Sequence, residues 1–522
     1  MILTLAELAT YIASGDWRGS LLEFPTTLPL GGLRTSENGH RETLRNEIAS
    51  KISQFSALSQ GRRVLIKTDQ SVDAFLSLIA IWHYGAVAIP LEPNASDEQV
   101  GRIAELTAAS YILVPKSDKP LSLRTSVPEE NLQSKPPARV AGSDLALIIP
   151  TSGSTGNSKC VMLTHLNVVF SVYAISKYLN LRSTDRILVS LPLTFDYGLY
   201  QLLFATIINC TAILHTGSRT PYHVLAAART TEATVLPLVP SMAAGLIRVL
   251  RDRPDLKPER LRTITNTGGH LPYEIIRRLR STFRDTKIFA MYGLTECKRA
   301  LYLPPEDIER KPNSVGIPIP GVDARVFSLK VDTGATTAPN QADRTEAAPE
   351  EVGELCVRGP NVMQGYIGSE TQPFINTGLA YRDDIWLATG DLFYRDFEGY
   401  FYFVGRIKDL IKQNGFNIGS AHLESEITAL DEAIEAVCVF PDRDKDQVEV
   451  AHAYIKLRGD DVSVKSRVFA KISKRLDGRY RPSKITFVPD LPLTLNGKYD
   501  RTRLFLLPVR NSQTFGVNSK PL

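Results

Sequence analysis

Paired cysteines are missing from this chain. Its five cysteines, at positions 160, 210, 297, 356 and 438, are widely spaced, which argues against a disulfide framework or a zinc site and for reduced thiols. Charge of one sign is missing too. Lys and Arg number 61 against 56 Asp and Glu, leaving a net +5 with no basic block, so nothing suggests a nucleic-acid partner. Long apolar runs are also absent. The most apolar stretch, 75–91, is interrupted by His83 and Gly85 and is too short to span a bilayer comfortably. The opening Met1-Ile2-Leu3-Thr4-Leu5 has no basic flank, and Glu7 and Asp16 follow closely, unlike a secretory leader. No internal repeat stands out. The expectation is a soluble, cytoplasmic protein with no membrane span.

What is present is an ordinary globular composition, 43% apolar and 22% charged, over 522 residues. That is too long for one core and suggests at least two domains. Val64-Leu65-Ile66 reads as a strand, 71–84 as a helix and 86–91 as a strand. A helix at 98–106 and a strand at 111–115 follow. After a polar surface connection at 116–143 the alternation resumes: strands near 186–191, 212–215, 234–236 and 261–265, with a helix at 199–208. Such alternation implies a parallel sheet covered on both faces. Residues 333–351 form a second polar loop, and 353–357 and 399–404 look like paired strands. Helices near 420–429 and 464–476 belong to a shorter module beginning beyond Gly405.

The most informative run follows the apolar segment 145–149: Pro150-Thr151-Ser152-Gly153-Ser154-Thr155-Gly156-Asn157-Ser158-Lys159. Glycines permit close backbone approach, hydroxyls can donate to phosphate oxygens, and the lysine adds a point charge. It is a polyphosphate loop, but without the Gly-Lys-Ser/Thr ending of a P-loop. Four further segments follow in order: Met291-Tyr292-Gly293-Leu294-Thr295-Glu296, Ala388-Thr389-Gly390-Asp391, Gly405-Arg406-Ile407-Lys408-Asp409-Leu410-Ile411-Lys412 and Leu495-Asn496-Gly497-Lys498. Glu296, near a phosphate loop, is a suitable ligand for Mg²⁺, a hard ion that prefers oxygen. Tyr292 can stack on a purine, and Asp391 offers two acceptor oxygens to a ribose diol.

With these motifs the chain resembles the adenylate-forming superfamily: acyl-CoA ligases, amino-acid adenylation domains and luciferases. The resemblance runs from about residue 65 to 501 and implies an α/β fold. A large N-terminal domain (1–405) of parallel-sheet α/β subdomains plus a β-rich subdomain would bind ATP and acid. A small mobile α+β C-terminal domain (406–522) would carry the catalytic lysine. By resemblance Thr151, Ser152, Gly153, Ser154, Thr155, Gly156, Lys159, Gly268, Gly269, Met291, Tyr292, Gly293, Thr295, Asp391, Phe403 and Arg406 bind ATP or AMP, and Glu296 holds the Mg²⁺. Lys498, Glu296 and Thr151 are the implied catalytic residues. Lys498 would bridge the attacking carboxylate and the α-phosphate, offsetting the repulsion of two anions. Lys408 falls at the hinge, where many members carry Asp and acyl-CoA ligases often carry Lys.

The acid is read from Leu191-Pro192-Leu193-Thr194-Phe195-Asp196-Tyr197-Gly198. Acyl- and aryl-CoA ligases commonly carry histidine where this chain has Phe195, whereas amino-acid adenylation domains carry Phe-Asp, the aspartate pairing with the substrate ammonium. A carboxylate in a pocket calls for a cation; alternatively, Asp196 caps a helix beginning near Leu199. Other lining positions implied by the resemblance are Tyr197, Tyr200, Pro237, Thr265, Thr267, Met291, Arg299 and Ala300. The tyrosines and the methionine favour a small side chain such as that of proline or alanine. Arg299 is a departure, which either pairs with an acid of the protein or marks an acidic substrate group. The chain shows no Asp-Ser phosphopantetheine attachment pattern after Lys498. The expectation is therefore a small amino acid passed to a separate phosphopantetheinylated carrier protein in secondary metabolism; the alternative is an acyl-CoA ligase using free CoA. His83 reads as a core imidazole and His165 as a helix-start residue.

Overall fold

The computed structural model describes residues 2–14, 17–18, 20–24, 37–114, 121–122, 139–151, 159–328, 345–378, 380–407, 410–413, 416–443, 449–459, 461–476, 481–492, 503–504 and 514–516. Its first sheet follows the expected alternation. Strands Arg63–Lys67 and Val87–Leu91 run parallel, joined by the helix Val72–His83. The Ser71 hydroxyl accepts from the Ala74 amide to start that helix, satisfying one of its orphan donors. The helix is buried from Ala74 to His83, so the most apolar run of the chain is core. Leu145–Thr151 joins in parallel and then pairs antiparallel with Lys159–Thr164, which the strand Gly365–Ile367 flanks. The result is a seven-stranded sheet.

A second sheet begins with six parallel strands in the order Ser20–Phe24, Thr211–His215, Arg186–Val189, Val235–Leu238, Thr263–Asn266 and Lys287–Tyr292. Val235–Leu238 and Thr263–Asn266 are buried at every position, as a parallel sheet covered on both faces requires. Beyond Tyr292 the sheet continues antiparallel through Leu301–Tyr302, Ser314–Pro318, Phe401–Arg406, Ile385–Arg395, Gly353–Arg358 and Asp323–Ser328, reaching 13 strands with Phe374–Asn376 at its side.

Here one expectation fails. Gly353–Arg358 and Phe401–Arg406 do not pair with each other, because Ile385–Arg395 lies between them and pairs with both. That strand carries Thr389-Gly390-Asp391, with Gly390 at φ +72, and its polar stretch masks the apolar alternation by which a strand is read. The remaining module contains the hairpin Leu410–Gln413 and Phe416–Gly419, the helices Ser420–Ala429 and Val462–Arg475, and a four-stranded sheet. It has its own core around Ile411, Ile427, Val439, Ile455 and Ile472. The architecture is a large α/β domain with a β-rich part and a small α+β C-terminal domain. All five cysteines are buried thiols outside any disulfide. Among the described residues no helix is long and apolar enough to cross a membrane.

Candidate active site

At the phosphate end, Thr151 and Lys159 face each other across an antiparallel pair, and the Thr151 hydroxyl donates to the Lys159 carbonyl at 3.2 Å. Ser152, Gly153, Ser154, Thr155 and Gly156 lie outside the described residues. The Lys159 ammonium sits 4.5 Å from the centre of the Tyr366 ring, and the Tyr366 hydroxyl donates to Glu296 Oε1 at 2.6 Å. One phenol therefore links the loop lysine to the candidate metal carboxylate. Burial, then the Glu296 charge, push the Tyr366 pKa up, so it stays a donor. Among the described residues no group of three or more His, Cys, Asp or Glu could hold a metal. A single half-buried Glu296 fits Mg²⁺ all the same, since that ion usually takes one or two carboxylates and completes its shell with phosphates and water.

At the nucleoside end, Tyr292 closes the strand Lys287–Tyr292 and donates through its hydroxyl to Asp391 Oδ2 at 2.7 Å. Asp391 stands opposite Arg406 in register, and its Oδ1 lies 3.3 Å from Arg406 Nε. Phe393 and Phe403 pack on the Tyr292 ring at 4.9 and 6.4 Å between centroids. Gly268, at φ +83, leaves room for Phe195, whose ring would lie 3.3 Å from an added Cβ. His270 follows Gly269. Among the described residues neither ring nitrogen has a hydrogen-bond partner, and burial lowers its pKa to about 4.

The turn between these ends depends on Gly293, where a Cβ would meet the Lys298 carbonyl oxygen at 1.9 Å. Lys298 takes φ +59, a left-handed conformation uncommon for a residue with a side chain. Asn361 holds the turn in place: its Nδ2 donates to the Cys297 carbonyl at 2.8 Å and to the Arg299 carbonyl at 3.0 Å. The Ala300 amide donates to the Tyr292 carbonyl and the Met363 amide to the Glu296 carbonyl. Thr295 lies in the same turn.

Folded this way, Lys298 and Arg299 reach the start of the helix Asp196–Ile208. That helix begins at Asp196 with Phe195 as its N-cap, three residues earlier than expected, so Asp196 caps no helix near Leu199. Gly198 allows the tight start, since a Cβ there would lie 2.1 Å from the Pro192 carbonyl oxygen. Asp196 is 5% exposed; its Oδ1 accepts from the Tyr197 amide at 2.9 Å and its Oδ2 lies 3.4 Å from Lys298 Nζ. Lys298 is 1% exposed, and burial lowers its pKa while Asp196 opposes that shift. The cation that a buried carboxylate requires is thus a residue of the chain itself.

The other expected pocket positions converge here. The Tyr197 and Thr265 hydroxyls share a 2.6 Å hydrogen bond, and Pro237 pairs in register with Thr265. The Arg299 guanidinium lies 4.7 Å from the Tyr197 ring centre, and Lys298 Nζ lies 5.6 Å from that of Tyr200. Met291 Sδ accepts from the Tyr178 hydroxyl at 2.8 Å. Ala300 and Thr267 are buried beside them. Lys298, Tyr178, Tyr366, His270 and Asn361 were not singled out by the sequence reading. Lys498 and Lys408 lie outside the described residues.

Glu296 and Lys159 thus meet at Tyr366, the Asp391–Arg406 pair meets Tyr292, and the expected pocket positions gather around Asp196 and Lys298, an arrangement that suits an adenylate-forming ligase. Residues 44–367 match the family described as AMP-binding enzyme, and residues 422–498 the AMP-binding enzyme C-terminal domain. The chain belongs to the AMP-binding enzyme family. It is an AMP-forming acid–thiol ligase that uses ATP and Mg²⁺. A 4-coumarate–CoA ligase-like protein of Oryza sativa subsp. japonica is 29% identical over 490 residues, covering 86% of this chain and 84% of its own length. The 2-succinylbenzoate–CoA ligase of Bacillus subtilis is 31% identical over 361 residues, covering 69% of this chain and 68% of its own. The solved structure of o-succinylbenzoate coenzyme A synthetase from Bacillus subtilis, in complex with ATP and a magnesium ion, superposes with a TM-score of 0.73. It is 24% identical and covers 95% of this chain and 99% of that one.

Proposed function

We propose that this chain converts a carboxylic acid to its acyl-CoA through an acyl-adenylate. The observation that carries this reading is the buried Lys298–Asp196 pair. The amino-acid reading rested on a carboxylate in need of a substrate ammonium, and Lys298 already supplies a cation at 3.4 Å. The relatives support the same choice, since both are named as CoA ligases or CoA-ligase-like proteins.

In this reading the 151–159 loop, with Thr151 and Lys159, cradles the phosphates. Tyr292 and Phe403 border the adenine, with Gly268, Gly269 and Gly293 in the turns beside it, and Asp391 with Arg406 holds the ribose hydroxyls. Glu296 would hold the Mg²⁺, which when bound supplies charge to neutralise the phosphates. An acid oxygen attacks the α-phosphorus and pyrophosphate leaves, giving the mixed anhydride. Lys498 bridges the two anions during that step. The 406–522 module then pivots about Lys408, as lids and domains do between steps. The CoA sulfur attacks the acyl carbonyl, AMP leaves with the bonding electrons, and the thiol proton passes to solvent.

The test is ATP–pyrophosphate exchange across a panel of carboxylic and amino acids, followed by capture on CoA or on a phosphopantetheinylated carrier protein. Acid-dependent exchange with thioester formation on CoA is expected. Preferential activation of proline or alanine, with transfer only to a carrier protein, would restore the amino-acid reading. Release of ADP in place of AMP would refute adenylation altogether.

A further inference from the structure

The innermost part of the acid pocket holds two cations and one acid. Asp196 answers Lys298. Arg299 has no such partner, for among the described residues no carboxylate lies within ion-pair distance of its guanidinium. It is 6% exposed. Within the described residues its Nη1 donates to the Lys298 carbonyl at 2.7 Å, and the guanidinium carbon lies 4.7 Å from the centre of the Tyr197 ring. Among the described residues its Nε has no hydrogen-bond partner. A guanidinium cannot shed its charge by deprotonation and carries a fork of donors matched to a carboxylate. Left buried without an anion it is costly to the fold. The backbone holds it there, with Asn361 Nδ2 on its carbonyl and Lys298 in a left-handed conformation beside it.

The unmet charge faces a space. A cavity of about 10 Å³ lies among Ile175, Asp196, Tyr200, Phe204, Lys298 and Arg299, close to the room one water-sized group needs. Its walls combine apolar and aromatic surface with these three charged groups. An aliphatic or aromatic acid with a plain hydrocarbon end would bury methyl or ring carbons against Arg299 and leave the charge unanswered. A second anionic group at that end would answer it.

We infer that the pocket of this enzyme selects acids bearing a second anionic group, a carboxylate at the end remote from the one activated, with Arg299 as the residue that reads it. The inference rests on the ligase reading above and names its substrate class. The activated carboxylate sits toward the Glu296 and Gly268 side of the site, while the second reaches Arg299 with one oxygen, a water-sized atom, in the cavity beside it. Lys298 contributes less, because its charge is shared with Asp196.

The test compares matched pairs in ATP–pyrophosphate exchange with the unaltered enzyme: succinate with butyrate, glutarate with valerate, and phthalate with benzoate. The monomethyl ester of each diacid serves as the uncharged control. The best acid is expected to be a diacid, exceeding its single-carboxylate partner and its monoester by about thirtyfold or more in kcat/KM, the scale of a desolvated charge pair losing one member. Arg299→Met should erase that preference, lowering kcat/KM for the diacid far more than for the monoacid so that their ratio falls to about one, whereas Arg299→Lys should keep its direction. Single-carboxylate acids or amino acids activated best by the unaltered enzyme would overturn the inference, as would exchange with no diacid at all. Exchange is read before the thiol step, so a diacid preference without any CoA thioester would refute the CoA reading and leave this one standing.

Discussion

The Asp196–Lys298 pair makes the sharpest test, because the two readings of Asp196 place its worth in different measurements. If Asp196 serves an internal ion pair, its loss leaves Lys298 buried and uncompensated in the apo protein. The charges are 3.4 Å apart, with side chains 6% and 1% exposed. At an effective dielectric constant of 20 their attraction is about 5 kcal/mol. Removing one member of such a pair costs about 3–5 kcal/mol, a large share of the ~5–15 kcal/mol that holds a typical domain together. Asp196→Ala and Lys298→Met should each lower the urea midpoint of the substrate-free enzyme strongly. The double variant should recover most of that loss, because the buried charge is then gone from both sides. Intrinsic fluorescence and circular dichroism across a urea series, on all four proteins, close the cycle. Additive single effects, or an Asp196→Ala protein as stable as the parent but unable to activate amino acids, would refute the pairing argument.

Two further outcomes follow from the geometry. Tyr366→Phe removes a hydrogen bond of 2.6 Å to Glu296 while keeping the ring beneath Lys159. A bond to a charged acceptor is worth about 1.5–3 kcal/mol, so the Mg²⁺ concentration for half-maximal exchange should rise about tenfold with ATP affinity less changed; an unaltered Mg²⁺ dependence would remove Tyr366 from the site. His165 is buried, its Nδ1 accepts the Leu5 amide at 3.1 Å, and burial lowers its pKa to about 4. The unfolded chain therefore binds the proton first as pH falls through about 6.5, so the contribution of neutral His165 is full above that value and fades as pH drops toward 4. At most ~3 kcal/mol is at stake. Urea midpoints at pH 7.5 and 5 should differ more in the parent than in His165→Gln, and equal pH dependence would refute the assignment.

Much of the fold was legible because its elements announce themselves locally. The strands near 64–66, 87–91, 187–189, 212–215, 235–236 and 263–265 and the helices read at 71–84, 98–106 and 199–208 lie close to where apolar runs and punctuation put them. The motifs around Tyr292, Glu296 and Asp391 were legible from residue type. What was not legible depends on contacts far apart in the chain. Lys298 sits next to Arg299, which drew notice, yet the side chain that meets Asp196 is set by the left-handed backbone at Lys298, which no composition rule signals. Tyr366 lies 70 residues from Glu296 and is placed beside it where its strand pairs with Lys159–Thr164, and Asn361 looks like any loop amide until its two carbonyl partners are seen. The strand Ile385–Arg395 was missed because its polar motif interrupts the pattern that marks a strand.

The amide of Asn361 has a mechanical consequence. It grips the carbonyls on either side of Lys298, while the segment running on from it delivers the Met363 amide to the Glu296 carbonyl and the Tyr366 hydroxyl to the Glu296 side chain. Six residues of one connection therefore set the floor of the proposed acid pocket and the posture of Glu296, the candidate metal carboxylate, together. Grafting a new acid preference by swapping pocket residues alone would leave this brace tuned to the old floor. Any drift of the floor would be felt at the phosphates, so retargeting the enzyme calls for the 359–367 segment to be exchanged along with the pocket.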